Sequence, residues 1–139
     1  MATLRRLSGR PTWLLSRANA RAQELLGAAF AAAGVRGYHF RLLAALDEHG
    51  PSSQAELGRV TGIDRSDVAV TLDDLAGEGL ARRSPDPEDR RRNVITITDA
   101  GVTRLEALDA VLTGVQEAVL EPLASGERET LLRLLAKLA

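Results

Sequence analysis

Residues 52–101 read SSQAELGRVTGIDRSDVAVTLDDLAGEGLARRSPDPEDRRRNVITITDAG, and the hydrophobic period changes partway along this stretch. Ser53 followed three residues later by Glu56 is a capping-box pattern: the hydroxyl accepts a backbone N–H inside the helix while the carboxylate reaches back to the cap. It opens a short helix through Ala55, Leu57 and Val60 that Thr61-Gly62 closes. Asp64 caps the next helix, in which Val68, Leu72 and Leu75 stand at i, i+4 and i+7 and share a buried face, while Arg65, Ser66, Ala69 and Asp73 point elsewhere. Gly79 ends it. The period then shortens, and Leu80-Ala81-Arg82-Arg83-Ser84 and Asn93-Val94-Ile95-Thr96-Ile97 read as two strands. The turn-rich segment between them, Pro85 to Arg92, makes the pair a β-hairpin with a long, basic tip.

Working outward, Thr12 to Ala33 carries Trp13, Leu14, Ala18, Leu25, Leu26, Ala29 and Phe30 near helical spacing, with Gly34 as the stop. Tyr38, Phe40, Leu42, Leu43 and Leu46 form a second helix, which His49-Gly50-Pro51 terminates. After the hairpin, Thr98 is an N-cap, and a long apolar stripe from Leu105 to Leu120 runs up to Pro122. Ser125 or Gly126 restarts the chain into a last helix whose leucines, 131, 132, 134, 135 and 138, leave most of its circumference apolar. Such a helix has to be covered. The expected order is α-α-α-α-β-β-α-α, a mainly α fold with a small β-hairpin.

The chain has 139 residues, with 45% hydrophobic and 27% charged, which suits one folded domain spanning 1–139. Its net charge of −1 means that any nucleic-acid contact depends on where charges lie. All basic residues but Lys137 are Arg, the side chain best suited to fork-like contacts with phosphate and guanine, though a GC-rich genome produces the same bias. The absence of Cys excludes thiol redox sensing, Cys-ligated zinc and thiol nucleophiles. With His39 and His49 the only histidines, and no HExxH, GxSxG, P-loop or GxGxxG pattern, an enzyme has little to work with, and no metal or cofactor is expected. No apolar run is long enough for a signal core or a membrane span, so a cytoplasmic protein that does not engage the membrane is expected.

Two short helices joined by a tight turn and followed by a hairpin match the winged helix-turn-helix plan. Residues 52–101 resemble the DNA-binding core of the MarR family, most specifically in the wing segment DPEDRRRNVITIT, and the flanking long helices fit that family as well. The resemblance implies a winged helix-turn-helix core over 36–98 and a helical dimerisation region over 1–35 and 99–139. It makes Arg65 to Glu78 the recognition helix, with Arg65, Ser66, Asp67, Ala69 and Val70 toward base edges. Asp67 reads equally well as a helix-start charge. Val70 and Asp74 stand where family members often carry Arg. In the wing, Arg82, Arg83, Arg90, Arg91 and Arg92 outnumber Asp86, Glu88 and Asp89. Asp89 and Arg91 have the family's Asp-x-Arg spacing, which implies an arginine oriented toward the minor groove. Ser53 and Gln54, at a helix start, are candidate phosphate contacts, and Ser53 is equally a simple cap.

The apolar surface of the first and last two helices exceeds what a small winged helix can bury, which argues for a homodimer on an inverted-repeat site of double-stranded DNA. The family also implies a small aromatic or phenolic effector, for which Trp13, Tyr38, His39 and Arg41 are the candidates, and a repressor as output. Trp13 and Tyr38 read alternatively as interface packing. The rival class is a winged helix that binds proteins and not DNA, favoured by the acidic Asp73-Asp74 pair.

Overall fold

The turn between the third and fourth helices shows how local chemistry sets the architecture. In the computed structural model, which describes residues 4–139, α3 (Gln54–Thr61) starts on a capping box. Ser53 Oγ accepts from the Glu56 N–H at 3.2 Å, and the Glu56 carboxylate accepts from the Ser53 N–H at 3.4 Å. Thr61 Oγ donates to the Leu57 carbonyl and accepts from the Ile63 N–H, and Gly62 takes the left-handed backbone (φ 71°) that turns the chain. Asp64 Oδ1 then accepts from the Asp67 N–H at 3.0 Å and starts α4 (Arg65–Gly77).

Two compact units make up the described chain. The larger, Phe30–Val111, holds the last turn of α1 (Pro11–Ala32), α2 (Gly37–His49), α3, α4, the hairpin β1 (Ala81–Pro85) and β2 (Asn93–Ile97), and the first half of α5 (Asp99–Leu120). Its core is Leu42, Leu43 and Leu46 of α2 with Leu57, Val68, Leu72, Leu75, Ile95 and Leu108, all 1% exposed or less. The strands are antiparallel, with register from Ala81↔Ile97 to Pro85↔Asn93. Ser52 adds a bridge on the other edge of β2, exchanging both backbone hydrogen bonds with Ile95 (3.0 and 2.8 Å). Thr98 caps α5, accepting from the Gly101 N–H and donating to the Gly79 carbonyl. The Arg104 guanidinium donates to the Ala33 carbonyl at 2.6 Å, satisfying an orphan group at the end of α1.

The second unit holds the chain up to Ala29 and Leu112–Ala139, including α6 (Ser125–Leu138). Arg21 donates to the Ala118 and Val119 carbonyls, both at 2.8 Å, and Arg128 pairs with Glu117 at 2.9 Å. Glu127 accepts from the Ala124 N–H and so caps α6. Among the described residues of this unit only Val115 is buried, and α6 buries none. Among the described residues no helix is long and apolar enough to cross a membrane.

The predicted elements are all present, with small differences at the ends. The first strand starts at Ala81, because the Leu80 N–H is spent on the Leu75 carbonyl in the turn that closes α4, and it takes in Pro85, which pairs with Asn93.

In α4, Thr71 is fully buried and its hydroxyl meets no hydrogen-bond partner among the described residues. Thr71→Val keeps the shape and removes a desolvated polar atom, so unfolding free energy should rise by about 1–2 kcal/mol. Urea denaturation checks this as a higher midpoint at unchanged slope.

Candidate nucleic-acid interface

An open cleft of ≈ 740 Å³ lies between the start of α3, the start of α4 and the wing, within the larger unit. Ser53 and Gln54 line it from α3, Arg59 from farther along that helix, Arg65 from α4, and Arg91, Arg92 and Asn93 from the wing. Four arginines and no acidic residue line it, so positive charge gathers at the cleft although the whole molecule has a net charge of −1. The first turn of α3 adds backbone N–H groups with no partner inside the helix. Geometry of this kind can accept a chain of phosphates.

The wing arginines are aimed by their own loop. Arg91 Nε donates to Asp89 Oδ1 at 3.1 Å and a terminal nitrogen to Oδ2 at 3.4 Å, a two-point contact that leaves the side chain 90% exposed. Asp89 also accepts from the Arg91 N–H at 3.1 Å, so one carboxylate folds the loop and orients the arginine. The Arg91 guanidinium, then its backbone N–H, hold the Asp89 carboxyl below its ordinary value. Asp86 is likewise lowered, first by the Glu88 N–H and then by Arg92, which pairs with it at 3.3 Å. Arg90 is exposed at the tip with no ion-pair partner among the described residues. An oriented guanidinium loses less rotamer freedom on meeting a phosphate or groove than a free one.

On α4, Arg65 and Ser66 are exposed, Ala69 is half-buried and Val70 exposed. Asp67 is half-buried, and its carboxyl is pushed above the ordinary value by a hydrogen bond with the Asp64 carboxyl, then by desolvation and the Asp64 charge. Asp64 is shifted the other way, chiefly by the Asp67 N–H. Both acids farther along the helix are paired. Arg83 reaches Asp73 at 2.7 Å from β1, and Asp74 Oδ2 lies 3.1 Å from His39 Nε2 and 4.0 Å from Arg36.

The His39 ring is buried and used at both ends. Nδ1 accepts from the Arg36 N–H at 2.9 Å, which places the proton of the neutral ring on Nε2, where it donates to Asp74. A residue predicted for an effector pocket thereby links the start of α2 to α4. The guanidinium of Arg41 lies 5.7 Å from the Tyr38 ring centre and also reaches the Thr61 carbonyl at 3.4 Å. Trp13 belongs to the other unit, where it is half-buried beside Arg17.

Of the residues singled out from the sequence, Ser53, Gln54, Arg65 and Arg91 come together at the cleft, and Asp89 supports Arg91. Arg82 is exposed on β1 opposite Thr96 and does not line it. Arg59, Arg92 and Asn93 were missed as site residues. Arg59 stands four residues after Ala55 and shares its helix face, a spacing that could have identified it.

The MarR family model matches residues 33–92. The HTH-type transcriptional repressor NicR of Pseudomonas putida is 37% identical over 99 residues, 71% of this chain, and the match spans 63% of NicR's own length. A probable transcriptional regulator from Pseudomonas aeruginosa superposes with a TM-score of 0.82 at 34% identity, covering 96% of this chain and 99% of that one. The transcriptional repressor CouR, solved bound to a 23-mer DNA duplex, does so with a TM-score of 0.86 at 28% identity, over 99% and 98% of the two chains.

The His39–Asp74 contact makes a stability prediction. Asp74→Ala leaves the Nε2–H of a buried ring without its acceptor, and unfolding free energy should fall by about 1–3 kcal/mol. Asp73→Ala, which breaks an exposed pair, should cost about 1 kcal/mol or less in the same urea titration.

Proposed function

The chain belongs to the MarR family, and we propose that it is a cytoplasmic, sequence-specific transcriptional repressor that binds an inverted-repeat operator as a homodimer. The observation that carries this reading is the carboxylate-free cleft bordered by Arg59, Arg65, Arg91 and Arg92. On this reading α4 enters the major groove, with Arg65 and Ser66 at its leading end, where a guanidinium can contact guanine O6 and N7 or clamp a phosphate. The sugar-phosphate backbone follows the cleft past Ser53 and Gln54. Arg91, braced by Asp89, reaches the adjacent minor groove, whose negative potential attracts guanidinium groups.

The second unit supports a dimer. Leu132, Leu134, Leu135 and Leu138 of α6 are 39–72% exposed, and Leu14 and Leu15 of α1 are exposed too. A second copy covering this surface brings two α4 helices to half-sites about one DNA turn apart, roughly 10 base pairs. A small aromatic or phenolic effector belongs to the proposal as well, with Tyr38 and Arg41 of the larger unit as the candidate residues, since the His39 ring is spent on the Arg36 N–H and Asp74. It would act by binding a dimer with the wrong helix spacing better than the DNA-ready one. The rival reading as a protein-binding module rested on Asp73 and Asp74, and both are paired within the chain.

Binding measured on a selected operator should weaken by about 1–3 kcal/mol in Arg91→Ala, the scale of one lost direct contact, with dimerisation intact. If Arg90→Ala and Arg91→Ala both bind as tightly as wild type, the wing has no part in recognition. Leu135→Asp should shift the mass in light scattering toward that of a monomer, and a persistent dimer would locate the interface elsewhere.

A further inference from the structure

The exposed face of α4 carries one large apolar group, Val70, that neither the cleft nor the ion pairs account for. Val68, Thr71, Leu72 and Leu75 are buried, so the opposite side of the helix runs through Ser66, Val70 and Asp73, at i, i+4 and i+7. Asp73 is drawn to Arg83 on β1, and Asp74, beside this stripe, to His39. The middle of the face is left to the Val70 side chain, which is 52% exposed. Folding gains little from valine there, since β-branching lowers helix propensity relative to alanine and much of the isopropyl group stays in water. Its neighbour toward the buried side, Ala69, is small, so an approaching surface meets the valine first.

We infer that Val70 reads the 5-methyl group of a thymine in the major groove; this rests on the proposal that α4 enters that groove. Among the bases only thymine presents a methyl group on that edge. An isopropyl group packed on it removes two apolar surfaces from water. A guanine or a cytosine in the same place would set a polar edge against aliphatic carbon and lose its water without a replacement partner. The cations beside these acids fit this role, because Arg83 at Asp73 and Arg36 near Asp74 offset charges that would otherwise repel the phosphates on either side of the groove. Arg65 and Ser66 supply the polar part of the readout one turn earlier, and Val70 supplies the apolar part.

The test starts from operators selected by the wild-type chain out of a random duplex pool. If no duplex is enriched, the DNA-binding reading itself fails; if enriched half-sites share no thymine on either strand, only the assignment to Val70 fails. Each thymine of the selected half-site is then replaced by deoxyuridine, which pairs identically and lacks only the methyl, and affinity is read by fluorescence anisotropy. At one thymine position the wild type should lose roughly fourfold for each half-site substituted, the factor expected for one methyl group left unburied. In Val70→Ala, a substitution that favours the helix, the same replacement should cost less than about twofold. Equal affinity for every deoxyuridine operator, or a loss undiminished in Val70→Ala, overturns the assignment.

Discussion

The structure depends most on how firmly α4 is seated. Its rotation is fixed by Val68, Leu72 and Leu75, which bury against a core that includes Leu42, Leu43 and Leu46 of α2. Its start is fixed by Gly62 and the Asp64 cap, and its later turns are tied to β1 through Arg83 and to α2 through His39. A helix held by hydrophobic burial alone can rotate or slide by a fraction of a turn at modest cost. Directional hydrogen bonds at separated points remove that freedom, and they do so beside the residues assigned to base contact.

Charge is handled by the same economy of placement. A chain with more acidic than basic residues still lines a cleft with four arginines and no acid, because the nearby carboxylates sit behind those arginines or at helix starts. Asp64 starts a helix, Asp86 and Asp89 shape the wing and steer its arginines, and Asp73 and Asp74 anchor α4. In exposed settings such pairs stabilise little in themselves. Their effect lies in orientation, and because the Asp86 and Asp89 carboxyls are held below their ordinary value, chiefly by the Glu88 N–H and the Arg91 guanidinium respectively, this orientation is lost at lower pH than an unperturbed carboxylate would allow.

Local chemistry made much of this legible in the sequence. The caps at Ser53, Asp64 and Thr98 and the glycine turns at 34, 62 and 79 are short-range features, and the apolar periods told strand from helix. The Asp-x-Arg pair of the wing came from the resemblance to the MarR family, and Asp89 and Arg91 do pair in the structure. His39 with Asp74 and Arg83 with Asp73 were not legible, because those partners meet only after the chain has folded. The same limit hid the gathering of Arg59, Arg92 and Asn93 with Arg65 at one cleft. Composition could suggest an arginine surface without saying which arginines share it.

The bridge between Ser52 and Ile95 has a mechanical consequence. Because β2 is hydrogen-bonded to the residue that leads into α3, the wing and the amino end of that helix belong to one stiff piece, like the two jaws of a caliper locked at a single opening. On the proposed mode of DNA binding, a duplex laid across it would have to bring its backbone to that opening, and the elastic work of doing so varies with base sequence. Discrimination could then arise at base pairs that no side chain touches.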